Sequence, residues 1–177
     1  MKTLALAITI TVGLSTMAVA NDDLNDLEIA HAAYTAGQID IRYAHLALAL
    51  SENEAVRSFA ETMIRDHSAV NAEVVKLARK LNVTAQDNPM SRQLLRDAEA
   101  ITSRLAGLRG AAFDRAYAEN ELAYHQIVNG VVEDAFVPNV ENREVREAFQ
   151  TALGIFRGHE RHAERMVEEV TAMDRER

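Results

Sequence analysis

The sequence contains no cysteine, no tryptophan, two prolines and seven glycines. Without cysteine there is no disulfide scaffold, no thiolate zinc site, no cysteine nucleophile and no lipoprotein acylation site. So few prolines and glycines leave too little turn chemistry for an all-β sandwich. Basic residues are also in deficit, with 19 Lys and Arg against 27 Asp and Glu and a net charge of −8. That balance argues against a partner held by phosphate neutralisation, so no nucleic acid is expected. A Gly-rich phosphate loop and a serine-elbow pattern are absent as well. What the chain has in quantity is apolar surface: 48% of residues are hydrophobic, which excludes disorder as a whole-chain description.

One apolar run stands apart from the rest. Lys2 precedes an almost unbroken stretch from Leu4 to Val12, and Ala18-Val19-Ala20 has the small-x-small pattern of a signal-peptidase site. The reading is a signal peptide over residues 1–20, cut near Ala20, and a single domain over 21–177. The run is shorter than the ~20 residues that span a bilayer, so no transmembrane segment is expected in the mature chain. The expected location is periplasmic or secreted.

From residue 23 onward the pattern is helical. Ala, Leu, Glu, Arg and Gln dominate, with Val and Ile at helical spacing. A first long helix is predicted from about Asp23 to Leu50, with a stripe of Leu27, His31, Tyr34, Gln38, Ile41, His45 and Leu48. A second opens at Ser51, where Ser51-x-x-Glu54 reads as a capping box, and carries Val56, Phe59, Met63, His67, Val70, Val74, Leu77 and Leu81 in steps of three and four. Asn82 to Asn88 is turn-like. Asn88 and Pro89 read as the cap and first residue of a shorter helix reaching about Ala106, with Gly107 and Gly110 beyond it. A third long helix is predicted from about Ala111 to Phe136, broken at Pro138. The last runs from about Asn139 to Met173, with Val145, Phe149, Ala152, Phe156, His159, Ala163, Met166 and Val170 on one face.

Connection lengths suggest the topology. The first pair of long helices is joined almost without a loop, and so is the second pair, which makes each an antiparallel hairpin. The segment between the pairs carries the short helix, long enough to run back along a bundle. The fold class expected is all-α: a ferritin-like four-helix bundle with a long crossover bearing a short fifth helix. A weak repeat agrees, since Glu52-Asn53-Glu54-Ala55-Val56-Arg57 is similar to Glu141-Asn142-Arg143-Glu144-Val145-Arg146, and Arg65-x-His67 to Arg157-x-His159.

Core stripes should be apolar, yet these carry histidines. Helix heights place Gln38, Asp40, Asp66, His67, Glu121 and His125 within about one turn of each other, with His45, His159 and Tyr117 in a second layer nearer the Ser51 turn. Carboxylates and imidazoles together suit iron, manganese, zinc or copper. The alternative is a structural network in which each imidazole is satisfied by a neighbour. A ferritin-type di-metal site needs Glu-x-x-His on two helices, and only Glu28-x-x-His31 fits, near a helix end. His159 and His162 lie three apart but lack the His-Glu-x-x-His pattern of a zinc protease. Asp66-His67-Ser68 holds triad residue types, but consecutive helix positions point apart.

The segment from Phe59 to Asn71, with Asp66-His67-Ser68-x-x-Asn71, resembles the second-helix signature of an exported bacterial ferritin-like family of unknown function often labelled "predicted outer membrane protein". The resemblance continues through Gly110-x-x-Phe113-Asp114, Glu121-Leu122-Ala123-Tyr124-His125 and His159-x-x-His162, and covers about Glu28 to Met166. It implies a bundle in the cell envelope and no settled activity. The polar positions it matches are Asp40, Asp66, His67, Glu121, His125 and His159, with Asp40 where members commonly carry Glu. The functional expectation is a non-enzymatic binding or envelope-stress maintenance role. The alternatives are a metal-binding or oxidoreductase bundle holding iron, manganese or copper, and a helical interaction module with an envelope protein partner or a second copy. No cofactor is required by the sequence.

Overall fold

A computed structural model describes residues 24–175, so the expected signal peptide lies outside the described residues. The elements are α1 (Asp26–Leu50), α2 (Glu54–Lys80), α3 (Pro89–Ala106), α4 (Gly110–Val131), a π-helical turn (Val132–Phe136), the short α5 (Val137–Asn139) and α6 (Arg143–Arg175). No strand occurs among the described residues. The protein is an all-α bundle in which α1 pairs with α2, α4 pairs with α6, α2 faces α6, and α3 lies along α1 in the connection between the pairs.

Local chemistry sets the helix ends. Asn25 caps α1 in a full capping box, accepting from the Leu27 and Glu28 amides while Glu28 accepts from the Asn25 amide. Ser51 does not cap α2 as the sequence suggested. Asn53 does, accepting from the Ala55 and Val56 amides. The Ser51 hydroxyl instead donates to Asp114 on α4 at 2.5 Å and accepts from the Asn53 amide. The far end of α2 closes with Asn82 at φ 54°, the Asn82 amide donating to Arg79 and the Val83 amide to Ala78. Asn tolerates that left-handed conformation better than most residues. Asn88 caps α3 ahead of Pro89, as expected.

The two hairpin turns share one device. Asn53 caps α2, and Arg57 reaches back to the Leu48 and Ser51 carbonyls at 2.8 and 3.0 Å. Asn142 caps α6, accepting from the Glu144 and Val145 amides, and Arg146 reaches back to the Val140 carbonyl at 3.0 Å. These are the residues that repeat in the sequence. Asp26 then ties α6 to α1 by accepting from the Glu141 and Asn142 amides.

Burial divides the bundle into two apolar regions. The first, towards the Ser51 turn, packs Tyr43, Phe59, Met63, Leu105, Phe113, Tyr117 and Met166, all at most 1% exposed. The second, towards the Pro138 turn, packs Ile29, Met90, Phe136, Phe149 and Leu153. Each fully buried side chain of this size contributes about 1.5–3 kcal/mol of transfer free energy. On all four long helices the stretch between the two regions carries a buried polar residue: Asp40, His67, Glu121 with His125, and His159.

The α2 stripe behaves differently in its two halves. Val56, Phe59 and Met63 are fully buried, whereas Val70, Val74, Leu77 and Leu81 are half-buried and line a cavity of about 750 Å³ between the helices. The α1 stripe needs correction. Its buried face is Ile29, Ala32, Ala36, Ile39, Tyr43, Ala44 and Ala47, while Gln38 and His45 are exposed. Alanines supply much of the true face, so the larger residues on the other side of the helix carried the sequence pattern. On α4 the sequence sets Phe113, Tyr117, Asn120, Tyr124, Ile127 and Val131 in line, and the buried face turns slightly from that stripe, to Phe113, Tyr117, Glu121, His125 and Asn129.

Candidate functional site

Four of the long helices each contribute to one buried polar cluster. Asp40 comes from α1, His67 from α2, Glu121 and His125 from α4, and His159 from α6. Asp40 and Glu121 are fully buried, and the three histidines are at most 4% exposed. One nitrogen from each of His67, His125 and His159 lies within 4.8 Å of the others, and atoms of Asp40, Glu121 and His125 meet the same limit. His125 belongs to both sets.

The sequence reading placed Asp40, His67, Glu121 and His125 in one layer, and they meet there. It placed His159 one layer away with His45 and Tyr117. His159 instead joins the main cluster, His45 points outward, and Tyr117 sits in the apolar region stacked on Phe113. Asp66 is only partly buried and lies behind His159, whose Nε2 is 3.0 Å from Asp66 Oδ2. Asp66 also accepts from Arg65 Nε at 2.7 Å. The hydrogen bond to Arg65, with that to His159, overcomes burial and holds the Asp66 carboxyl below its usual range. His31 is bonded to Ser91 near the end of α1, and His162 stands edge-on to Phe59, so neither belongs to the cluster.

Proton positions follow from the partners. His125 Nδ1 is 2.9 Å from the Glu121 carbonyl. A carbonyl only accepts, so Nδ1 carries the proton. Burial pulls the His125 pKa down, which leaves a neutral ring with a lone pair on Nε2. That lone pair faces Asp40 Oδ2 at 3.3 Å. By the same logic His159 donates through Nε2 to Asp66. Burial lowers its pKa to about 4, and its Nδ1 lone pair is buried with no hydrogen-bond partner. His67 Nε2 lies 3.2 Å from the same Asp40 oxygen without hydrogen-bond alignment, and its ring stacks on Phe156 at 5.0 Å. Burial acts to lower the His67 pKa, but the Asp40 carboxylate and the charge of Asp66 together outweigh it and the net shift is upward.

The carboxylates split in the same way. Burial, and then the charge of Asp40, push Glu121 well above the usual carboxylate range, which favours its neutral form. Burial also opposes ionisation of Asp40, but the facing histidines, led by the charge of His67, together outweigh it and hold its carboxyl below the usual range. Both oxygens of Asp40 and both of Glu121 are buried without a hydrogen-bond partner, as are His67 Nδ1 and Nε2, His125 Nε2 and the Tyr117 hydroxyl. Buried polar atoms are normally paired, and leaving one unpaired costs about 1–3 kcal/mol. Those of Asp40, Glu121 and the histidines are concentrated in one layer, a donor set that a cation could satisfy. Chemically, three imidazole nitrogens and one or two carboxylate oxygens can hold a first-row transition metal.

The family model of a domain of unknown function (DUF4142) matches residues 13–166. The chain belongs to that family. The DUF4142 match runs through α1 to α4 and most of α6, so it includes every residue of the polar cluster and the walls of the cavity beside it. Neither the curated proteins nor the solved structures compared with the chain produced a match.

Proposed function

We propose that this DUF4142 protein is a metal-binding helical bundle, with His67, His125, His159 and Asp40 as ligands of one transition-metal ion and Glu121 beside them. One observation carries the reading. A lone pair on His125 Nε2 faces the ionised Asp40 carboxylate at 3.3 Å in a buried site, an acceptor against an acceptor. A cation between them turns that repulsion into two bonds.

The surroundings support the same reading. Asp66 behind His159 is the carboxylate–histidine arrangement that orients a ligating imidazole and raises its basicity. The Glu121 carbonyl fixes the His125 ring in the tautomer that frees Nε2. Ligation displaces a proton from any ligating imidazole that carries one, so affinity rises with pH. Imidazole-rich donors with one carboxylate favour iron, copper or zinc over the all-oxygen ions calcium and magnesium. Two hairpins joined by one crossover support the ferritin-like reading. The ligand set departs from the di-iron carboxylate pattern, because only two carboxylates reach the cluster. The reading is therefore one ion per chain. We place the protein in the cell envelope on the strength of the N-terminal sequence.

The test is elemental analysis of the full chain, prepared without a histidine tag from cells grown in iron, manganese, copper and zinc. About one equivalent of one metal is expected, falling below about a tenth in a His67→Ala/His125→Ala double variant. Less than about a tenth of an equivalent of every metal in well-folded wild-type protein overturns the proposal and makes the cluster a structural network.

A further inference from the structure

The cavity of about 750 Å³ reaches both the surface and the polar cluster. Its lining includes Glu73 on α2 and Glu147 on α6, whose side chains are 69% and 58% exposed, so it opens to solvent there. Its lining also includes Asp66 and His67, and His67 is only 4% exposed. Asp40, Glu121, His125 and His159 do not stand on the wall. The space is several times the volume of a cation with its first shell of waters, at ~30 Å³ per water. Asp26, Asp66, Glu73 and Glu147 line it and no Lys or Arg does. The cations paired with three of these carboxylates, Arg65, Lys76 and Arg143, stand outside the lining.

The three imidazoles of the cluster are not held alike. His125 is fixed by a hydrogen bond to the Glu121 carbonyl, and His159 by one to Asp66. His67 has neither nitrogen hydrogen-bonded, although both are buried. It is held by the Asp40 carboxylate, 3.2 Å from its Nε2, and by its stack on Phe156, with the rings 9° from parallel. The imidazole that touches the cavity is thus the one whose ring can turn without breaking an aligned hydrogen bond.

We infer that this cavity is the route by which a transition-metal cation reaches the cluster, with His67 as the mobile ligand that turns aside to admit it. The inference rests on the metal reading above and adds to it the path and the moving part. Carboxylates along a low-dielectric wall raise the local concentration of cations at the mouth. The cavity needs no resident ligand for this role. His125 and His159, anchored from behind, stay in place to receive the ion, and His67 closes over it.

The test is stopped-flow uptake of cobalt(II) by the metal-free full chain, read from the absorbance of the bound ion, with release timed after a chelator is added. Val70 lines the cavity one turn from His67 on the same face of α2. Val70→Trp should slow uptake and release alike, each by at least about tenfold, because an obstructed path changes rates and not the equilibrium. The final cobalt stoichiometry and spectrum should hold. Val74→Trp, one turn further from His67, serves should Val70→Trp not fold. Val75 is exposed and off the cavity wall, so Val75→Trp should leave both rates within about twofold. Phe156→Leu, which removes the stack, should speed both rates by at least about threefold. A folded Val70→Trp or Val74→Trp that takes up cobalt at the wild-type rate, or a Val75→Trp that slows it equally, would overturn the route. Unchanged rates in Phe156→Leu would overturn His67 as the moving ligand. Folded wild-type protein that takes up no cobalt would overturn the metal reading and this inference with it, so the two failures are distinguishable.

Discussion

The two apolar regions of the bundle draw on the same residue types and are packed differently. Towards the Ser51 turn, Phe59, Phe113 and Tyr117 from facing helices interlock, with Phe59 edge-on to Tyr117 and Phe113 stacked on it. Towards the Pro138 turn, α1, the π-helical turn and α6 close on each other through Ile29, Phe136 and Phe149, while the end of α2 stands against open space. A close-packed interior gains from every contact its atoms make, whereas side chains beside a void lose partners on one side. Close packing is therefore concentrated near one turn and open space near the other, with the polar cluster at the boundary.

The sharpest way to probe this contrast is truncation in the packed region. Phe59→Ala should cost about 3–5 kcal/mol in urea unfolding, since it opens a void among residues with no room to collapse. Next comes the boundary. If the cluster binds one metal ion, a metal concentration about a hundredfold above Kd should stabilise the protein by about 2.7 kcal/mol, and a chelator should remove that gain. Scanning calorimetry of metal-free and loaded protein measures the difference.

The metal-free protein should also report its buried histidine through pH. His159 is held near 4, below its ordinary 6.5, so the unfolded chain takes up a proton first as pH falls. Stability is full above about 6.5 and is lost between 6.5 and 4, by about 2–3 kcal/mol. His159→Gln should flatten that part of a stability–pH curve. Smaller still are the caps: Asn53→Ala and Asn142→Ala should each cost about 1 kcal/mol in thermal melts, one at each hairpin turn. The smallest effect belongs to the open region. Leu77→Ala, already half-buried beside the cavity, should cost about 1 kcal/mol or less by denaturant titration. A Leu77 cost near that of Phe59 would erase the contrast between the regions.

Much of this organisation was legible in the residues themselves. The steps of three and four from Val145 to Val170 locate the α6 face almost unchanged, and Asn88-Pro89 locates the start of α3. Asp40, His67, Glu121 and His125 could be brought together from helix heights alone. Two things were hidden. On α1 the buried face is built from small residues such as Ala32, Ala36 and Ala47, so a search for large apolar side chains followed the wrong side and took His45 inward. His159 was set a layer too high because heights were counted from assumed helix ends, and α6 begins at Arg143 rather than Asn139. The cavity had no signature of its own. An apolar stripe reads the same whether it meets another helix or an open chamber.

The repeated Asn cap and returning Arg have a consequence for connectivity. Each hairpin carries its own turn instructions within a dozen residues, so neither depends on the other to reverse direction. The two hairpins are linked through the mostly exposed segment 82–87 and α3. A chain severed in that segment should yield two fragments that recombine on mixing, each bringing a complete turn. The cluster would then exist in neither fragment alone, because Asp40 and His67 travel with one and Glu121, His125 and His159 with the other. Reassembly would itself create the set of facing imidazoles and carboxylates.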